Sequence, residues 1–213
     1  EDLSFDVDRG QIVDLVGPSG SGKSSLLTAF ALLNPHADGT FTLDGADSSS
    51  FSLQQWRRNV AYLPQKPMLM GDSVADTIRL PWTLAVRRAD EASAPDDHAA
   101  TGKKTSARRG RFSRLFRSEQ SQAKLALPDQ LIRNTLDAMG CEDIDLARAP
   151  HDLSGGQAAR VSLARTLLTR PAVLLADEVD AGLDDDNADK VASIMASAAA
   201  GGMAIVRIRH RPP

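Results

Sequence analysis

The stretch GPSGSGKSS, residues 17–25, follows the short apolar run IVDLV, residues 12–16, and precedes LLTAFALLN, residues 26–34. Glycine and serine at this density suit neither helix nor strand, because glycine loses the most backbone entropy on ordering. The stretch is read as a loop whose backbone is itself the working part. Gly17, Gly22, Lys23 and Ser24 fit the pattern G-x-x-x-x-G-K-[ST], and the loop lies between a strand and a helix, the context that pattern needs. A di- or triphosphate offers many acceptor oxygens, and glycines let successive N–H groups converge on them. The dipole of the following helix adds positive potential at the same place. Gly17, Pro18, Ser19, Gly20, Ser21, Gly22, Lys23, Ser24 and Ser25 are therefore the candidate nucleotide-binding loop. Within it Lys23 supplies a point charge at the β- and γ-phosphates, and Ser24 a hydroxyl for Mg2+.

The rest of the chain alternates strand and helix patterns. LSFDVD (3–8) alternates like a strand, with RGQ as a turn, and IVDLVG (12–17) reads as a short buried strand. SSLLTAFALLN has helical spacing up to Pro35, GTFTLDG (39–45) predicts strand and turn, and NVAYLPQ (59–65) another strand. DSVADTIRL (72–80) predicts a helix capped by Asp72 or Ser73. Helical spacing returns in PDQLIRNTLDAMG (128–140), in 157–169 and in DDNADKVASIMASAAAGG (185–202), with AVLLADE (172–178) and MAIVRIRH (203–210) as strands. Such alternation argues for an α/β protein with a parallel sheet.

AVLLADE ends in Asp177 and Glu178 at the carboxyl end of its strand, where ligands gather in open α/β sheets. Asp177 is placed to hold Mg2+, and Glu178, pointing the other way, to orient or deprotonate a water. Read alone, this is equally a strand running into an acidic loop, since Asp180, Asp184, Asp185 and Asp186 follow. The phosphate-loop pattern tips the balance.

The totals set bounds. The 213 residues suffice for one domain or a domain with a subdomain, and the net charge of −3 excludes a general polyanion binder. Cys141 is the only cysteine, so no internal disulfide forms, which fits a reducing compartment. No apolar run approaches the ~18 residues that span a bilayer, and EDLSFDVDRG is no signal peptide, so a membrane role is expected to run through a partner.

LSGGQ, residues 153–157, discriminates among nucleotide enzymes. With it the chain resembles the ATP-binding cassette (ABC) ATPases over nearly its whole length. GPSGSGKSS, Gln65 in AYLPQKP, LSGGQ, VLLADE, GLD at 182–184 and His210 occur in the family's order. The resemblance implies a RecA-like parallel or mixed sheet core (1–71 and 158–213) with a small N-terminal antiparallel β part. It also implies an α-helical subdomain (72–157) that carries the signature. It implies two cassettes paired head to tail, as a homodimer when ATP-bound, around ATP and Mg2+. Ser154, Gly155, Gly156 and Gln157 then contact a nucleotide held by the partner chain, with Asp184 at the dimer interface. Lys23, Gln65, Glu178 and His210 are the catalytic set, and Ser24, Gln65 and Asp177 the metal ligands. The implied function is the ATP-hydrolysing motor of a transporter, on the cytoplasmic face of the membrane, driving a separate transmembrane permease. The alternatives are a cassette ATPase acting on nucleic acid or the ribosome, and a cassette with little turnover. Neither long coiled coil nor second cassette is present, so no nucleic acid is expected. GDSVADTIRLPW (71–82) is similar to a bacterial subgroup associated with metal, including iron, export.

Several residues depart from the family pattern. The upstream aromatic that stacks on adenine is not among these residues. Arg209 stands where the family has Thr or Ser, and VDAG (179–182) replaces a Pro/Thr/Ser-rich turn. Asp14 and Arg207 lie in strands where the family is apolar, three residues before Gly17 and His210 respectively. Those strands are neighbours in this fold, so a buried Asp14–Arg207 ion pair is expected, against the alternative that each reaches solvent at a sheet edge. The segment at about 87–126 is read as a flexible insertion. Within it, KKTSARRGRFSRLFR (103–117) is read first as a solvated basic loop. Phe112, Leu115 and Phe116 at i, i+3 and i+4 also permit an amphipathic basic helix touching anionic lipid.

Overall fold

A computed structural model describes residues 3–84 and 127–209 of the chain. The expected insertion, its lipid-contact stretch 103–117 and His210 lie outside the described residues. The described residues form six strands: β1 (Ile12–Leu15), β2 (Thr42–Leu43), β3 (Ala46–Asp47), β4 (Val60–Leu63), β5 (Val173–Asp177) and β6 (Ala204–Ile208). The helices are α1 (Lys23–Phe30), α2 (Leu53–Asn59), α3 (Val74–Thr83), α4 (Asp129–Ala138), α5 (Gly155–Leu168) and α6 (Asp185–Ala200).

Four strands form one sheet in the order β1-β6-β5-β4, each pair parallel. Alternation along each strand sends side chains to opposite faces, so two cores form. Leu174, Ala176 and Ile205 face a core filled by Val161, Leu163 and Ala164 of α5, Val191 and Met195 of α6, Ile78 of α3, and Ile132 and Leu136 of α4. Leu175, Val206 and Ile208 face the other, filled by Leu27 of α1 and Trp56 of α2. This helix–sheet–helix layering is what near-continuous apolar strands require. The expected small antiparallel part is the hairpin β2–β3, turned at Asp44 and Gly45.

Ser73 rather than Asp72 caps α3, its hydroxyl accepting from the Asp76 N–H at 3.1 Å. α1 stops at Phe30, short of Pro35, because Leu32 adopts a φ of 53° and the Leu33 N–H returns to the Thr28 carbonyl at 2.8 Å. Residues 3–8 form no strand. Two of their apolar side chains turn to the α1 side instead, Phe5 edge-on to Phe30 at 5.6 Å and Val7 against the second core, while Leu3 is exposed. The alternation there reflects packing without a paired backbone. α2 is not expected from the sequence, although SLQQ at 52–55 forms a capping box between Ser52 and Gln55.

Asp14 and Arg207 are register partners across β1 and β6. Arg207 Nε donates to Asp14 Oδ1 at 2.5 Å and Nη2 to Oδ2 at 3.3 Å, a two-pronged pair. The expected pairing is present, but burial is incomplete, with side chains 15% and 28% exposed. β1 is one of the two edge strands of this sheet among the described residues, which lets water reach the pair. Removing one member of a fully buried pair costs ~3–5 kcal/mol, and partial solvation reduces this to roughly 1–3 kcal/mol for Asp14→Ala or Arg207→Ala. The double change Asp14→Val/Arg207→Val is expected to recover most of that loss, since apolar isosteres often match a paired charge. Urea denaturation of the three variants measures it. Single variants as stable as the parent chain contradict the pairing energetics.

Candidate nucleotide site

The loop at 17–25 closes on its own lysine. Lys23 Nζ donates to the carbonyls of Gly17 at 2.8 Å and Pro18 at 2.9 Å, and lies 3.5 Å from Ser21 Oγ. Gly20 and Gly22 have φ of 79° and 88°, and a Cβ at either would meet nothing within 4 Å. Glycine is needed there for backbone conformation, not for space. Gly22 is also the N-cap of α1 and offers no side-chain acceptor to the first helical turn. A helix start without a capping side chain leaves first-turn N–H groups for an anion. Leu27, buried in the core with Leu175, Val206 and Ile208 of the sheet, anchors α1 at the sheet.

The two carboxylates of β5 separate by strand alternation. Asp177, 4% exposed, lies on the α1 face and accepts from Ser24 Oγ at 3.1 Å and from Tyr62 Oη at 2.9 Å. The sheet thus brings β5 to the phosphate loop across 153 residues of sequence. Tyr62 reaches the same carboxylate because alternation from Val60 places it on the α1 face. Burial, reinforced by Asp177, pushes the Tyr62 phenol above its ordinary value of 10.0, so it is a neutral donor at physiological pH. Glu178 accepts from Gln65 Nε2 at 2.6 Å. Its φ of 52° is uncommon for a residue with a Cβ. The Ala181 N–H donates to the Glu178 carbonyl at 3.0 Å, closing a turn over residues 178–181. Non-glycine residues held in this region cluster at functional sites.

The signature begins α5. Ser154 Oγ accepts from Gln157 N–H at 3.2 Å and Gln157 Oε1 from Ser154 N–H at 3.0 Å, a reciprocal capping box. Gln157 Nε2 donates to Asp143 at 2.8 Å. A Cβ on Gly156 would stand 3.2 Å from Leu183 Cδ2, so this glycine allows the loop after β5 to close on the signature helix. The contacts of 154–157 run to Asp143 and Leu183 rather than to the 17–25 loop. Asp184 caps α6, accepting from Asn187 N–H at 2.9 Å and Asn187 Nδ2 at 2.7 Å. These bonds hold its carboxyl below the usual range. Arg160 crosslinks the region, donating to Asn187 Oδ1 and, at 2.8 Å, to the Gly140 carbonyl.

Lys23, Ser24 and Asp177 therefore meet at one end of the sheet, with Glu178 and Gln65 joined beside them. Sequence reasoning missed Tyr62 as a partner of Asp177, though their matching strand parity was visible. It also missed Arg160, for which a lone arginine on a helix gives no signal.

A phosphate loop between a parallel strand and a helix, an acidic pair at a strand end and a glycine-rich helix start define a P-loop nucleoside triphosphatase of the cassette type. Residues 1–181 match the ABC transporter family description. The chain belongs to the ABC transporter family, as an ATP-binding, ATP-hydrolysing subunit. It is 31% identical over 189 residues to "Probable iron export ATP-binding protein FetA" of Escherichia coli, covering 89% of this chain and 67% of that protein. The fold is similar to the "Structure of ATP binding subunit of ABC transporter", with a TM-score of 0.68 and 23% identity over 99% of this chain and 72% of that one. It is equally similar, at TM-score 0.68 and 20% identity, to a dimeric ABC cassette in a post-hydrolysis state bound to ADP and Pi, covering 99% of this chain and 79% of that one.

Proposed function

We propose that this chain is the ATP-hydrolysing motor of a transporter, working as a head-to-tail pair on a separate membrane permease. The observation that carries the reading is the 3.1 Å contact of Ser24 with Asp177, which unites the phosphate loop with the acidic strand end. The loop amides and Lys23 bind the terminal phosphates. Ser24 and Asp177 are two hard oxygen donors of the kind Mg2+ takes, and Gln65 stands close by at Glu178. Bound there, Mg2+ would neutralise charge on the β- and γ-oxygens. Tyr62 keeps the Asp177 carboxylate turned toward Ser24. Glu178 accepts a proton from the attacking water, and Gln65 fixes the Glu178 carboxylate while it does so.

Ser154, Gly155, Gly156 and Gln157 serve the nucleotide of the partner cassette, with Asp184 and His210 at the same interface. The signature contacts within the chain point away from its own phosphate loop, which supports that assignment. The core at 1–71 and 158–213 and the helical part at 72–157 are proposed as the two units. Among the described residues no helix is long and apolar enough to cross a membrane, which supports a peripheral subunit. A cavity of about 270 Å3 lined by Leu33, Arg57, Tyr62, Pro81 and Arg165, beside exposed Met68, whose carbonyl accepts from Arg165 Nη1 at 3.1 Å, is the proposed face for the permease. The FetA likeness and the 71–82 stretch support metal export as the work driven. The nucleic-acid and low-turnover alternatives gain no support from these relatives.

Pairing makes each active site depend on a second chain. Specific ATPase activity is expected to rise at least fivefold as the purified chain is concentrated from nanomolar to tens of micromolar. Activity per chain that stays flat over that range contradicts the shared-site arrangement.

A further inference from the structure

Four departures from the family pattern converge in space. Arg207 pairs with Asp14 at 2.5 Å, Arg209 Nη1 lies 3.9 Å from the same Asp14, and Arg209 Nε lies 3.4 Å from Asp180 Oδ2. The set holds two positive and two negative side chains and is neutral as a unit. It runs from the edge strand β1, through the end of β6, into the loop that follows Glu178. Arg209 and Asp180 are each 20% exposed, so water screens the pair only in part.

We propose that Arg209 and Asp180 are positioning residues for ATP hydrolysis, an ionic tether that sets the loop carrying Glu178 against the central sheet. The inference rests on the ATPase reading above. Asp180 lies two residues beyond Glu178, inside the 178–181 turn that begins at Glu178 and its positive φ. The same loop continues to Leu183, which packs at Gly156 of the signature, and to Asp184, which caps α6. One ionic contact therefore sits between the proton-accepting carboxylate and the surface proposed to meet the partner cassette. Asp14 holds Arg209 from the other side, and Arg207 holds Asp14, so the tether is anchored in β-sheet rather than in another loop. The Arg209 Nε has no acceptor aligned for a hydrogen bond. The attraction to Asp180 is thus that of charge rather than of directed bonding, and a different cation at position 209 should do the same work.

Steady-state ATP hydrolysis by the purified chain, with thermal melts of each variant, tests this. Arg209→Ser and Asp180→Thr are each expected to lower kcat at least fivefold, with KM for MgATP within twofold. The double variant removes both charges and is expected to recover to within threefold of the parent. Arg209→Lys keeps a cation and the fold, and is expected to stay within twofold. Parent-like kcat in Arg209→Ser, single losses that multiply in the double variant, or a fivefold loss in Arg209→Lys each overturn the tether while leaving the ATPase intact. If Arg209→Ser melts below the assay temperature, the Arg209→Lys and double-variant arms carry the decision. A parent chain without Lys23-dependent hydrolysis overturns the function proposed above and this inference with it.

Discussion

Lys23→Ala lowers ATP turnover by roughly 10²–10³-fold, the range seen when one preorganised donor is removed from a developing anionic charge. Lys23 is the charged member of the 17–25 loop, and its ammonium is held among the carbonyls of Gly17 and Pro18. Alanine removes that charge while leaving the glycine conformations and the buried Leu27 anchor of α1 in place. The change should therefore register in nucleotide affinity and turnover more than in folding. Lys23→Arg does not restore activity, because a planar fork replaces a compact point charge in a tight loop. Phosphate release and nucleotide titration, alongside a thermal melt, separate these effects. A parent-like rate in the alanine variant would remove the assignment of this loop to the phosphates.

Glu178→Gln is expected to cut kcat by about 10²–10⁴-fold, the usual contribution of a positioned general base. The amide has nearly the shape of the carboxylate, and its oxygen still accepts from Gln65 Nε2, now at 2.6 Å from Glu178. The turn after Glu178 is closed by backbone, the Ala181 N–H donating to the Glu178 carbonyl, so the side-chain change leaves that bond in place. What disappears is the ability to take a proton. Nucleotide affinity should stay within a few-fold of the parent value, because the phosphates are held elsewhere. A variant that hydrolyses ATP at the parent rate places the base at another residue. Loss of nucleotide binding in step with kcat would instead make Glu178 a binding group.

Much of the site was legible because its signals are short in sequence. The phosphate loop needs glycines, one lysine and one hydroxyl within nine residues, and the acidic pair follows directly from an apolar strand. The Asp14–Arg207 contact was legible for a different reason. Both charges stand three residues before a recognised landmark, and parallel neighbouring strands put equal offsets at equal heights. The misses have physical causes as well. Residues 3–8 alternate like a strand, yet Phe5 and Val7 satisfy that pattern by packing against the α1 face without a paired backbone. α2 has only seven residues, too few for periodicity to show, and its capping box at 52–55 was the one local mark.

Residue types and spacing alone were enough to read this protein's sheet-and-helix class, a glycine-rich loop between strand and helix and an acidic strand end, since each depends on backbone preferences and charges within a few residues; the reading of LSGGQ as a signature came from the family resemblance. Tertiary structure alone decided which side chains share one carboxylate, why Tyr62 and Ser24 both reach Asp177, and how Arg209 comes to stand between Asp14 and Asp180. Those contacts join segments far apart in the chain, and their geometry depends on which face of the sheet each side chain leaves and how far the next loop turns.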